Sequence, residues 1–216
     1  MRHTHRMTIE PARPHIDHVL IPVTDLGAAV AAFEARYGLR SVAGGRHPGW
    51  GTANRIVPLG AAYLELVSIV EPEAAGASSF GRWVAASAID RPMGWAVRVE
   101  DIETVARRLG LAVTAGRRAG PDGRQIGWRT VGVDRAAAET SLPFFIAWDA
   151  GTDLPGRAAV QHPIGDARLA RIIVRGDPRR VAAWLGPHRL PIEIRAGASS
   201  IVEVVLEARD REIRIG

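Results

Sequence analysis

The chain has 216 residues, 47% hydrophobic and 24% charged, the proportions of a folded globular protein rather than a disordered one. Its formal charge of +5 rests on 28 arginines without a single lysine, dispersed among acids rather than gathered in a run, which is the usage of a GC-rich, bacterial genome and argues against a nucleic-acid partner. There is no cysteine, so disulfides and thiol nucleophiles are excluded, and no apolar run reaches membrane-spanning length or forms a signal peptide, so a cytoplasmic protein with no membrane partner is expected.

Residues 1–14 read as a loose leader; His3 and His5 within it offer a pair of imidazoles to a metal, although a frayed terminus is the simpler reading. Residues 16–23 are a β-rich run followed by Asp25, a suitable helix N-cap, a helical pattern over 28–37, and Gly38 as a stop. Strand patterns follow at 52–59 and 62–69. The same order returns at 94–99, with Asp101, a helix closing at Gly110, and strands at 125–131 and 143–148. A third copy starts at 169–175 with Asp177, a short helix to Leu185, and strands at 191–195, 201–208 and 212–215 with turns at Gly197 and Asp210.

The three capping aspartates, Asp25, Asp101 and Asp177, stand at a constant interval of 76 residues, the mark of repeated supersecondary units. Each unit is β, α, then two or three antiparallel strands. Such a βαβββ module cannot bury both faces of its sheet alone and must pair. The expected fold is α+β: paired βαβββ modules over 15–155, with a third, C-terminal βαβββ-like module over 165–216.

Ile16-Asp17-His18-Val19 through Asp25-Leu26, the glycine-rich stretch from Gly44 through His47 to Asn54, and Tyr63-Leu64-Glu65-Leu66 together resemble the glyoxalase-like domain of the vicinal oxygen chelate superfamily. The third copy resembles the C-terminal part of longer members. The resemblance implies that the paired modules curl into a cupped, incomplete barrel, that the third module packs on it or completes a homodimer, and that the cavity holds a divalent metal (Fe, Mn, Ni or Zn) or a small ligand, with metal ligands His18 and Glu65 from the first module. The second module departs from that pattern. Gly94 stands where the second histidine belongs, and 143–148 offers no carboxylate, so the ligand set is incomplete unless His47 or another loop residue adds to it. The implied function is a small-molecule enzyme acting on an oxygenated substrate, of lyase, isomerase or dioxygenase type; the alternative is a sequestration or resistance-type binding protein.

His18, His47 and Glu65 are the candidate catalytic residues, His18 being equally readable as a core histidine. Glu65 lies in an apolar strand, where an unpaired carboxylate is costly, so His18, a metal or Arg55 should satisfy it. His47 sits beside Pro48 in what reads as a flexible lip over the cavity. By period-2 alternation Thr52, Asn54 and Ile56 share a face, making Asn54 either a polar handle in the pocket or a tie to the His47 loop. Trp50, Trp95, Trp128 and Phe145 are candidate ligand-binding aromatics, with Trp148 and Phe144 able to do likewise, although core packing accounts for most tryptophans. His162 reads as a linker turn. No phosphate loop, dinucleotide fingerprint or Gly-x-Ser-x-Gly elbow is present.

Overall fold

The computed structural model describes residues 14–120, 123–209 and 211–216. His3, His5, the turn at Asp210 and all of the leader but Pro14 lie outside the described residues. In chain order the first elements are β1 (His15–Pro22), α1 (Leu26–Tyr37), β2 (Val42–His47), β3 (Thr52–Leu59), β4 (Ala62–Ile69), α2 (Pro72–Ala77) and α3 (Ser79–Ala86). Next come β5 (Gly94–Arg98), α4 (Ile102–Leu109), β6 (Thr114–Ala119), β7 (Gln125–Val131), α5 (Val133–Ala138) and β8 (Phe144–Trp148). The last are β9 (Ala167–Gly176), α6 (Pro178–Leu185), β10 (Ile192–Ala196), β11 (Ser200–Ala208) and β12 (Arg211–Ile215).

The three aspartates cap their helices. Asp25 accepts from the Ala28 amide, Asp101 from Thr104, and Asp177 from Arg179 and Arg180. Each satisfies amides that the first helical turn leaves unpaired. Gly38 and Gly110 close α1 and α4 in the left-handed conformation.

The first two modules share one eight-stranded sheet, ordered β2-β3-β4-β1-β5-β8-β7-β6. They join through the antiparallel pair of β1 and β5, where Val19 faces Trp95. Those residues are 76 apart, the interval of the sequence repeat, so the local twofold passes between equivalent positions. The sheet curls until its edges, β2 and β6, come together: a Cβ on Gly45 would stand 2.9 Å from the Ala119 carbonyl oxygen. The result is a nearly closed barrel.

Alternation along the strands gives the sheet two covered faces. Val19, Ile21, Leu64, Leu66, Val97 and Phe145 face a large core shared with α1 and α4, and this core continues into Ile172, Val174, Val204 and Leu206 of the second sheet. Trp95 lies in the same core, fully buried, with its indole N–H unpaired. On the concave face, Leu20, Ala96, Phe144 and Ile146 pack with Phe80 and Trp83 of α3.

The third copy begins with the same strand and helix but is wired differently. Its four-stranded sheet runs β10-β9-β11-β12, with β9 parallel to the strand that follows its helix. In the first module β1 pairs in parallel with β4, the third strand after it. His162 staples the intervening segment to the first module: its Nδ1 accepts from the Arg40 amide at 3.0 Å, and its Nε2 meets the Pro58 carbonyl at 2.8 Å. Among the described residues no helix is long and apolar enough to cross a membrane.

Candidate active site

The concave face encloses a cavity of about 550 Å³. His18, His47, Asn54 and Glu65 all line it, together with Trp50, Trp128, Trp148, Tyr63, Phe144 and Arg118. Among the described residues none beyond Trp148 lines this pocket.

The chemistry begins at an irregularity in β1. Neighbours in a regular strand point to opposite faces, yet Asp17 Oδ1 lies 2.8 Å from His18 Nδ1, both side chains being buried. The register against β5 shifts between Ile16 and His18, and this bulge lets the two side chains meet. Asp17 Oδ2 accepts from Trp148 Nε1 at 3.1 Å and Arg98 at 3.3 Å. A carboxylate only accepts, so Asp17 accepts a hydrogen bond from His18 Nδ1–H and fixes the ring with Nε2 toward Glu65. Tyr63 stacks on the ring at 4.7 Å and Phe144 meets it edge-on at 5.5 Å.

Glu65 Oε2 stands 3.6 Å from His18 Nε2, and its Oε1 accepts from Asn54 Nδ2 at 2.7 Å. The Asn54 carbonyl oxygen in turn accepts from the Gly45 amide at 2.7 Å. Both readings of Asn54 therefore hold, since one amide touches the cavity carboxylate and ties down the glycine-rich stretch. Gly44 makes this approach available: a Cβ there would lie 2.0 Å from Asn54 Oδ1. Arg55 is not the partner of Glu65, because its guanidinium bonds Ser41.

His47 does not sit on a flexible lip. It ends the edge strand β2, which bulges between Ala43 and Arg46, and a 3-10 turn over Pro48–Trp50 follows. Its Nδ1 lies 3.1 Å from the Thr52 hydroxyl, and its ring packs on Trp50 and Trp128. Burial depresses its pKa; Glu65 opposes the shift and Arg118 adds to it. The neutral imidazole is thus favoured. Burial also pushes the Tyr63 phenol well above its ordinary value, with Asp17 and Glu65 adding to the shift, so it stays a hydroxyl donor.

Two of the expected aromatics are elsewhere. Trp95 and Phe145 occupy strand positions of opposite parity and face the large core, whereas their neighbours on the cavity side are Ala96 and Phe144. Trp50 and Trp128 line the cavity as expected, and Trp148 joins them.

The missing metal ligands have a structural counterpart. Leu20 pairs with Glu65 on β4, while its repeat partner Ala96 pairs with Phe144 on β8, so Phe144 occupies the position equivalent to Glu65. The other vacated position, Gly94, is filled by α3: a Cβ there would lie 2.4 Å from the Trp83 ring. Aromatic groups have taken both places. Among the described residues no three His, Asp or Glu side chains are grouped to hold a metal. The donor set stops at His18 and Glu65, short of the three ligands that open catalytic centres generally use, and does not fit a resident metal.

Asp17, Tyr63 and Arg118 complete the site without having been singled out as candidates. Tyr63 was recoverable, since alternation places it on the same face as Glu65. Asp17 was hidden because the bulge overrides that alternation.

A bowl of two fused modules around one internal cavity defines the vicinal oxygen chelate class of proteins. The family model described as Glyoxalase-like domain matches residues 16–190, and the chain belongs to that family. A crystal structure of a hypothetical protein from Staphylococcus aureus has the same fold over 92% of each chain, with a TM-score of 0.70 at 15% identity. Methylmalonyl-CoA epimerase from Mycobacterium tuberculosis is 20% identical over 62% of this chain and 85% of its own, with a TM-score of 0.43. The Streptomyces coelicolor epimerase in complex with 2-nitronate-propionyl-CoA is also 20% identical, over 66% of this chain and all (100%) of its own, with a TM-score of 0.46. No curated protein matches the chain.

Proposed function

We propose that this is a cytoplasmic small-molecule enzyme that works by metal-independent acid–base chemistry on an oxygenated substrate, with Glu65 as the base. The observation that carries this reading is the buried Glu65 carboxylate, facing the cavity with one oxygen fixed by Asn54 and the other 3.6 Å from His18. A carboxylate desolvated in this way loses the water that would compete for a substrate proton. His18, oriented by Asp17, is near enough to Glu65 for one substrate group to engage both, and His47 and Tyr63 supply an imidazole and a phenol on the same wall. The reaction class this supports is removal of a proton from carbon beside a carbonyl, followed by its return or by loss of a neighbouring group.

The test is proton NMR in deuterium oxide with a panel of α-keto acids and α-hydroxy ketones, following wash-out of the α-proton signal. Exchange catalysed by the wild type and lost in Glu65→Gln supports the reading. Exchange that survives in Glu65→Gln refutes it. The second reading, a binding protein that sequesters a planar compound, is favoured by the tryptophan wall of Trp50, Trp128 and Trp148. It gains support if compounds quench tryptophan fluorescence tightly while none exchanges a proton.

A further inference from the structure

We propose that Arg118 is the seat of a carboxylate, and that the cavity's ligand is a small monoanion with an apolar, planar body. This rests on the reading of the cavity as a small-molecule site, but not on Glu65 acting as a base.

Arg118 projects from β6, the strand that closes the barrel against β2, and only 7% of it is exposed. It lines the cavity. A guanidinium carries five N–H donors in a planar fork, yet among the described residues the one acceptor this group meets is the neighbouring Ala119 carbonyl, at 3.4 Å. Among the described residues no carboxylate lies within ion-pair distance of it. Burying a cation without a counter-ion is expensive, and chains that keep one generally pair it. The chain instead makes room for it: a Cβ on Gly45 would fall 2.8 Å from Arg118 Nη1 and 2.9 Å from Cδ, so the bare backbone of β2 leaves space for the side chain.

The cavity's own carboxylate does not meet this need. Glu65 is already engaged with Asn54 and His18 on the far module, and Arg118 and Glu65 act on His47 with opposite sign. Of the charged groups lining the cavity, Asp134 and Arg135 are exposed whereas Arg118 and Glu65 are buried, and a buried cation beside an already engaged buried anion favours a ligand of single negative charge, because a dianion would bring its second charge against Glu65. The bidentate fork matches a carboxylate. The same cavity is walled by Trp50, Trp128 and Phe144, which suits an aromatic or otherwise flat body. A ligand anchored at Arg118 would extend toward Glu65.

The experiment compares binding of benzoate, phenylacetate, phenylpropionate and naphthoate with their uncharged primary amides, using tryptophan quenching and thermal shift on the full chain. For at least one member of the series the carboxylate should bind the wild type about tenfold or more tightly than its amide, the size expected of a charge-assisted pair out of water. That preference should vanish in Arg118→Gln and persist in part in Arg118→Lys, which keeps the charge but not the fork. In Glu65→Gln it should persist or grow, even where proton exchange is lost, which separates failure of the anion seat from failure of the base. No preference for any carboxylate in the wild type overturns the proposal, whether or not the variants fold. So does a preference that survives intact in a folded Arg118→Gln protein. Phenyl phosphate binding more tightly than every carboxylate overturns the monoanionic assignment.

Discussion

Replacing Asn54 with alanine tests the central geometry most directly. The amide makes two short bonds, donating to Glu65 at 2.7 Å and accepting from the Gly45 amide at 2.7 Å, and it is itself buried. The first is a hydrogen bond to a charged group, worth about 1.5–3 kcal/mol, and losing the second leaves a backbone donor unpaired at about 1–3 kcal/mol. Allowing for water entering the vacated space, Asn54→Ala should cost about 3–4 kcal/mol, which for a chain of this size lowers Tm by roughly 6–16 °C. Asn54→Asp keeps the acceptor for Gly45 but sets a second carboxylate against Glu65. Its destabilisation should therefore exceed that of alanine at neutral pH and shrink as pH falls and one carboxyl takes up a proton. Urea unfolding at several pH values measures both. A cost below about 1 kcal/mol for Asn54→Ala, or a pH-independent cost for Asn54→Asp, would show that the Asn54–Glu65 bond does not organise the site.

Two further outcomes follow from the same geometry. Burial lowers the His47 pKa in the folded state, so the fold disfavours its protonated form; the stability this group contributes is complete above its ordinary value of 6.5 and is lost as pH falls below it. Comparing unfolding of the wild type and His47→Gln between about pH 7.5 and 5 should show a shallower decline in the variant, the difference staying within about 1.4 kcal/mol per pH unit. Elemental analysis of tag-free protein incubated with Fe, Mn, Ni and Zn should give well under one metal per chain, unchanged in His18→Ala; stoichiometric metal lost in both His18→Ala and Glu65→Ala would refute the two-donor argument.

Much of this fold was legible because its punctuation is chemical. A capping aspartate at a fixed interval, preceded by β-branched residues and closed by glycine, states a strand–helix unit whatever surrounds it, and all three units formed. The edge strands β2 and β6 were implied by the βαβββ unit but not located, because glycine and arginine dominate them and their strand character comes from pairing rather than from propensity. The wiring of the second sheet was equally hidden, since a strand's sequence does not name its neighbour. In the candidate site, resemblance and alternation pointed to His18, Glu65 and Asn54, and all three line the cavity. Trp95 and Phe145 were misplaced by one strand position, which in a sheet means the opposite face. Asp17 shows the reverse: a single inserted residue carried it to a face that alternation denied it.

The pairing of Val19 with Trp95 has a stereochemical consequence. A duplicated bowl with matching halves would present the same groups to either end of a substrate and could not tell its two orientations apart. Here the dyad relates a half that carries His18 and Glu65 to a half in which Trp83 packs on Gly94 and Phe144 lines the cavity. On the proposed acid–base reading, chemistry is confined to one side of the axis, so a bound molecule offers only one of its faces to the reacting groups. The protein's handedness toward a prochiral carbon is then set by which copy of the repeat kept its polar residues.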